Sequence, residues 1–232
     1  MPKLSADALS GFISAGRVGM PRPSRPRVFL LSPARLDGER ARLLFNPVTL
    51  FPVARALRSD EGAPIGEVFS FLSGLYFRGK LAYAEAFARP PAKLSSGVFV
   101  ITTNRGLLPA STRVTLDDLA AFAAVGIDHA SGPFRAPLQR DAEALAQALG
   151  RSGEPVLLGS IASSKYVDVL LSVFGERLLF PAEFVGRGDM SRGGLMLRCV
   201  DQRAELTYVP VQGAVRRGVR PARLPPRRQT SA

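Results

Sequence analysis

The sequence predicts an α/β fold, a three-layer sandwich in which helices cover both faces of a mostly parallel sheet. Short, continuous apolar runs recur along the chain, as expected for strands that are buried on both faces. Segments with helical periodicity separate these runs, and strands that alternate with helices favour parallel pairing. The 232-residue chain is 46% hydrophobic, which is enough for the core of one such domain.

Four apolar runs are predicted to be strands, and they lie at residues 27–33, 97–103, 156–159 and 178–181. Helical patterns occupy residues 37–45, three stretches of 50–88, and residues 115–124, 140–149 and 166–174. Thr115 followed by two aspartates has the sequence signature of a helix N-cap. This order of elements predicts a Rossmann-like sandwich in the loose sense of that term.

The end of the fold is predicted to be a C-terminal β-hairpin. Residues 194–200 and 205–211 would form its strands, and residues 201–204 its turn. The alternative is a helix through Met190–Val200. The Gly193-Gly194 pair counts against that helix, because glycine is a poor helix former.

The formal charge of +12 lies almost entirely at the two ends of the chain. Residues 1–26 are predicted to be a basic segment that is disordered or wraps the surface, and residues 213–232 a disordered Arg/Pro-rich tail. Residues 27–212 would then form a single, nearly neutral α/β domain. The chain has four lysines against 27 arginines, a bias typical of a GC-rich genome. The basic ends therefore either bind polyanions or only reflect genome composition.

The loop after the third predicted strand is a candidate ligand site. It reads Gly159-Ser-Ile-Ala-Ser-Ser-Lys165 and leads into a helix. Glycine lets the backbone approach a ligand, and a helix N-terminus favours an anion. We predict that Ser160, Ser163, Ser164 and Lys165 hold a phosphate group, with Ser163 or Ser164 as helix N-cap. The alternative is that Ser164 only caps the helix and Lys165 is solvated.

A second candidate loop spans Gly186–Gly194 and carries two arginines, an aspartate and a serine among its glycines. Arg187 and Arg192 are predicted to clamp the anion, since guanidinium groups bind phosphate in a bidentate manner. Asp189 or Glu183 would act as acid, base or nucleophilic carboxylate. The alternative is a surface loop in which the arginines pair with these two carboxylates.

The second predicted strand also ends in polar residues. Thr103, Asn104 and Arg105 follow it directly. In open parallel sheets ligands bind outside the carboxyl ends of the strands, so these side chains are predicted to complete the same site.

An aromatic and basic segment at residues 72–83 supports a different hypothesis. Tyr76, Phe77 and Tyr83 could stack on bases, with Arg78 and Lys80 on the phosphates. The alternative is a junction between helices, with the rings in the core.

Several functional classes are disfavoured by what the sequence lacks. It has one histidine, His129, and one cysteine, Cys199, so we predict no metal site and no bound cofactor. Walker A, Gly-x-Ser-x-Gly and Gly-x-Gly-x-x-Gly motifs are absent. No apolar run reaches the length of a membrane span and the N-terminus does not resemble a secretory signal, so the expected location is cytoplasmic, without membrane contact.

Three functional hypotheses remain open at this point. The first is a metal-independent hydrolase or transferase that binds a phosphorylated small molecule, such as a nucleotide or nucleoside derivative. The second is a DNA- or RNA-binding protein that uses its Arg-rich tails and the aromatic segment. The third is a non-catalytic interaction domain, whose strand-end loops would pack together without a cavity. The sequence does not indicate the substrate, the reaction or the oligomeric state.

Overall fold

The computed structural model describes residues 25–128, 130–162, 164–215, 218–222 and 224–225. In chain order the strands are β1 (Arg27–Leu31), β2 (Ala63–Pro64), β3 (Val98–Ile101), β4 (Leu107–Pro109), β5 (Arg113–Val114), β6 (Glu154–Leu158), β7 (Leu179–Pro181) and β8 (Tyr208–Pro210). The helices are α1 (Glu39–Phe45), α2 (Pro52–Leu57), α3 (Ile65–Ser73), α4 (Leu75–Phe87), α5 (Leu116–Ala123), α6 (Gly132–Leu149), α7 (Val167–Phe174) and α8 (Asp189–Gln202).

Six strands form one sheet, in the order β4-β3-β1-β6-β7-β8. β3, β1, β6 and β7 are parallel, and β4 and β8 are antiparallel strands at the two edges. α4 packs on β1 and β3 and against α8, whereas α6 packs against β4 and α7. The predicted α/β fold with a mostly parallel sheet is therefore confirmed.

The centre of the sheet explains why the sequence reads as continuous apolar runs. Residues 28–31 of β1 are fully buried. Phe29 pairs with Val98 of β3 on one side and with Val156 of β6 on the other. A strand with neighbours on both edges and helices on both faces has no position at which a polar side chain meets water.

The strand order reverses between β1 and β6. From β1 the chain crosses to β3 on one side, and from β6 it crosses to β7 on the other side. The connections that follow β1 and β6 therefore leave in opposite directions, and a crevice opens between the carboxyl ends of these two strands. Doubly wound sheets bind ligands at such a switch point.

The predicted N-cap of α5 is present as a complete capping box. The Thr115 side chain accepts a hydrogen bond from the backbone N–H of Asp118, and the Asp118 carboxylate accepts one from the backbone N–H of Thr115. This reciprocal pair satisfies two N–H groups that a helix start would otherwise leave unbonded.

The predicted C-terminal hairpin is wrong in its first strand, because residues 194–200 lie within α8. Its second strand exists as β8 but pairs with β7, where Leu179 lies opposite Pro210. The glycines that counted against a helix are used for packing. A Cβ atom at Gly193 would lie 2.7 Å from the carbonyl oxygen of Leu75 in α4. Close contact between the two helices thus outweighs the low helix propensity of glycine.

The predicted terminal segments fall largely outside the described residues, which begin at residue 25. The described part of the C-terminal segment lies against the body of the protein. The Arg198 side chain of α8 donates a hydrogen bond to the carbonyl oxygen of Pro225, and the backbone of Val219 approaches Gly186. Among the described helices, none combines the length and apolar character that crossing a lipid bilayer requires.

Candidate functional site

A cleft of about 700 Å³ opens at the switch point between β1 and β6. Ser32, directly after β1, and Ser160, two residues after β6, line it together with Lys165 and Tyr166. Tyr76 of α4 and Asp189, the first residue of α8, also line it. The volume is within the range of small-molecule sites in proteins.

The two strand ends approach each other closely because residue 159 is glycine. A Cβ atom at Gly159 would lie 2.8 Å from both the Ser32 Cβ and the Tyr166 hydroxyl. The Tyr166 hydroxyl donates to the carbonyl oxygen of Ser160 at 2.9 Å and accepts from the Ser160 N–H at 3.1 Å. These contacts fix the loop, and they hold the Ser32 and Tyr166 hydroxyls side by side.

Behind Ser32 lies Lys80, a lysine of α4 that is only 1% exposed. Its Nζ donates a hydrogen bond to the Ser32 carbonyl oxygen at 2.6 Å and lies 2.9 Å from Ser32 Oγ. The ring centroids of Tyr76 and Phe77 are each 4.6 Å from Nζ. The pKa of Lys80 is lowered to about 7, chiefly by burial, with the Asp189 charge raising it and the Arg192 charge lowering it to a smaller extent.

The tyrosine hydroxyls at the cleft remain protonated. Burial raises the pKa of Tyr76 and of Tyr166 above the usual value for a phenol. The Tyr76 hydroxyl is buried and has no hydrogen-bond partner among the described residues. Leaving a buried hydroxyl unbonded costs free energy, so Tyr76 carries an unsatisfied donor next to the cleft.

Three of the residues predicted to bind ligand or act in catalysis meet at this cleft. Ser160, Lys165 and Asp189 line it as expected from their positions. Ser163 lies outside the described residues. Ser164 is not the N-cap of the following helix, because α7 begins at Val167 with Tyr166 as its cap residue.

Most of the second predicted loop is part of α8, and its two arginines form hydrogen bonds within the protein. Arg192 donates to the Phe184 carbonyl oxygen and lies 3.7 Å from the Asp189 carboxylate. Arg187 donates to the Glu183 carbonyl oxygen and to Ser191 Oγ. It lines a different groove of about 440 Å³ between α8 and the C-terminal segment, together with Arg198 and Arg220.

Glu183, predicted as a catalytic carboxylate, lies away from the cleft. One carboxylate oxygen accepts from the Thr207 N–H and thereby holds the chain that enters β8. The other oxygen is buried without a partner among the described residues. Glu183 also contributes to raising the pKa of Cys199, after burial. Cys199 is a buried residue of α8 and not of a strand.

Residues 103–105 do not join the cleft either, and all three bind the neighbouring helix α5. Thr103 Oγ1 donates to the Phe122 carbonyl oxygen, and Asn104 donates to that of Ala121. Arg105 pairs with the Asp118 carboxylate at 2.8 Å. The reason is topological, because β3 continues into the antiparallel strand β4 and its end lies away from the switch point.

The aromatic segment is a core element. Tyr76, Phe77 and Tyr83 are 7%, 0% and 0% exposed, so their faces are not available for stacking on bases. Arg78 is exposed, whereas Lys80 points into the interior. The segment therefore forms α4, as the core interpretation expected.

Sequence reasoning placed Lys80 in the aromatic segment and not at this site. Tyr76, Lys80, Tyr83 and Ala84 share the buried face of α4 at helical spacing, and this was the signal that could have placed Lys80 in the interior. Its pairing with Ser32 depends on the fold, since 48 residues separate them.

Among the described residues, no group of three or more His, Cys, Asp and Glu side chains is arranged to hold a metal ion. His129 lies outside the described residues. No protein-family model, curated protein or solved structure matches this chain.

Proposed function

We propose that the cleft at the switch point binds a phosphorylated small molecule, of the size of a nucleotide or nucleoside derivative, for hydrolysis or group transfer. The observation that carries this proposal is the convergence of Ser32, Ser160, Lys165 and Tyr166 at the ends of two adjacent parallel strands. Hydroxyls and an ammonium group are donors, and phosphate oxygens are acceptors. The volume of about 700 Å³ accommodates a ligand of this size.

The charges around the cleft support an anionic ligand. Each of its three carboxylates already pairs with an arginine, in the pairs Asp37–Arg35, Glu39–Arg42 and Asp189–Arg192. Lys165 and Arg40 also line the cleft, and neither has a carboxylate partner within the part of the chain that the structure describes. The unpaired charge at the cleft is thus positive, which favours phosphate over a cation.

We expect Lys165→Gln to weaken binding of a phosphorylated ligand about tenfold or more. A hydrogen bond to a charged group contributes about 1.5–3 kcal/mol, and the substitution removes the charge while keeping a polar side chain. The measurement is a thermal-shift screen at two salt concentrations against inorganic phosphate, nucleoside phosphates, sugar phosphates, and short DNA and RNA. At 100 times its Kd a ligand adds about 2.7 kcal/mol to the stability of the folded state.

Lys93→Gln is the matched control, because Lys93 is an exposed lysine outside the cleft. A salt-tolerant rise in Tm with one small phosphate compound, lost in Lys165→Gln and kept in Lys93→Gln, supports the proposal. Equal responses of the two variants would contradict it. A rise only with DNA or RNA that disappears at the higher salt concentration would replace it with polyanion binding.

A further inference from the structure

Lys80 occupies a position where a positive charge is costly. It is 1% exposed, and no carboxylate forms a salt bridge with it among the described residues. Its Nζ is surrounded by the Ser32 oxygens and by the rings of Tyr76 and Phe77. An unpaired buried ammonium group destabilises a protein, and a methionine would fill similar space without that cost. A chemical role for the amine accounts for its presence.

Ser32 lies between this amine and the cleft. Its backbone N–H bonds to the Leu158 carbonyl oxygen, so the residue is fixed at the end of the sheet. Its side chain lines the cleft on one side and contacts Lys80 Nζ on the other, at 2.9 Å. Nζ donates one N–H to the Ser32 carbonyl oxygen, which orients the nitrogen towards Oγ. The Nζ–H donates to Oγ at this distance, and in the neutral amine the same contact lets Oγ–H donate to the Nζ lone pair, as a nucleophile does to its base.

We infer that Ser32 and Lys80 form a nucleophile–base dyad that cleaves a carboxylic ester bound in the cleft. The inference rests on the proposed function only for the phosphate group that this ester would carry. A serine hydroxyl is a weak nucleophile until a base accepts its proton, and lysine serves as that base in serine–lysine sites.

The reaction balances with water as the only co-reactant. Ser32 Oγ forms a bond to the ester carbonyl carbon while its proton passes to the lone pair of Lys80 Nζ. The bond to the alcohol oxygen then breaks, and Lys80 returns the proton to the leaving alcohol. Water attacks the acyl–Ser32 ester and gives a proton to Lys80. The acid leaves, and Ser32 Oγ recovers its proton from Lys80.

Tyr76 supplies a candidate donor for the negative charge that develops on the carbonyl oxygen. Tyr76 lines the cleft, and its buried hydroxyl has no hydrogen-bond partner among the described residues. Its raised pKa keeps it protonated as a donor. A fixed donor that faces the developing oxyanion lowers the barrier to acyl transfer.

The electrostatic surroundings suit a base that works near neutral pH. Burial lowers the pKa of Lys80 to about 7, so a large share of the amine is neutral at that pH. The ionisable groups that act on it are Asp189 and Arg192 of α8, with opposite effects. The carbonyl oxygen and hydroxyl of Ser32, directly after β1, and the Tyr76 and Phe77 rings of α4 complete its surroundings.

The test is covalent labelling of the full chain with an alkyl fluorophosphonate, followed by mass spectrometry. We expect a single adduct on Ser32, formed by attack of Oγ on phosphorus and loss of fluoride. The labelling rate should rise with pH through an inflection near 7. Lys80→Met should slow labelling at least about a hundredfold, because general-base catalysis contributes about 10²–10⁴ in rate.

Ser32→Ala should abolish the adduct, whereas Ser59→Ala, at an exposed serine outside the cleft, should retain it. Circular dichroism establishes whether each variant is folded. If Lys80→Met does not fold, the inference is still tested by the position of the adduct in the unsubstituted protein and by the pH profile of its labelling rate. No adduct, an adduct on another residue, or a rate without an inflection near 7 would overturn the inference.

The experiment separates this inference from the proposed function. Labelling of Ser32 without a thermal shift by any phosphate compound would support the dyad and contradict phosphate binding. A phosphate-specific thermal shift without labelling would support the binding site and contradict the dyad.

Discussion

Lys80→Met is expected to raise the free energy of unfolding by up to about 5 kcal/mol below pH 7. The pKa of Lys80 falls from 10.5 to about 7 on folding, and each pH unit of that fall corresponds to about 1.4 kcal/mol. Methionine keeps the apolar stem in place without the buried amine. The measurement is urea-induced unfolding at pH 6 to 10.

The pH dependence has a definite sign. Between pH 7 and 10.5 the unfolded chain binds a proton at Lys80 that the folded protein releases. The stability contribution of Lys80 therefore rises with pH through this window and is lowest below pH 7, where the charge stays buried. Lys80→Met should remove that slope, whereas Lys93→Met, at an exposed lysine, should keep it. Parallel slopes in all three proteins would show that Lys80 titrates normally.

Gly193→Ala is expected to destabilise the protein by about 2–3 kcal/mol, because α4 and α8 touch through their backbones. A Cβ atom at residue 193 would lie 2.7 Å from the Leu75 carbonyl oxygen and 2.9 Å from the Tyr76 Cα. Backbone atoms within a helix cannot move aside as a flexible side chain can, and overpacking costs about 1–3 kcal/mol or more. Urea-induced unfolding measures the loss.

Gly194→Ala is the matched control in the same helix. The atom its Cβ would approach is a side-chain nitrogen of Arg198, at 3.3 Å, which can move. Alanine favours helix over glycine by about 1 kcal/mol, so this variant should be as stable as the natural chain or more stable. Equal free energies of unfolding for Gly193→Ala and Gly194→Ala would contradict the close packing of α4 and α8 at residue 193.

The central strands of the sheet were predictable because their burial is uniform. Residues 28–31 and 155–158 are covered on both faces, and a continuous apolar run is the direct result. The N-cap of α5 was predictable for a different reason, since a capping box is complete within four residues.

The segment that forms α8 required tertiary information. Gly193 and Gly194 have low helix propensity, yet they lie in α8 because Gly193 lets that helix approach α4. Interactions between distant segments cannot be derived from the local pattern that suggested a hairpin.

The candidate site was likewise predictable only in part. Ser160 and Lys165 follow a strand directly, so strand order alone placed them at the cleft. Thr103, Asn104 and Arg105 also follow a strand but bind α5, because β3 ends away from the switch point. Lys80 resembled a surface cation beside Arg78 until the fold placed it behind Ser32.

The most direct test of this account is a nuclear magnetic resonance titration of the lysine side chains. The chain has four lysines, so carbon-13-labelled lysine gives a simple spectrum, and Lys80→Met assigns the signal of residue 80. We predict that the Lys80 signal titrates with a pKa near 7, well below the value of about 10.4 that is usual for a lysine. A Lys80 pKa near that usual value would contradict the neutral buried amine and, with it, the dyad at the cleft.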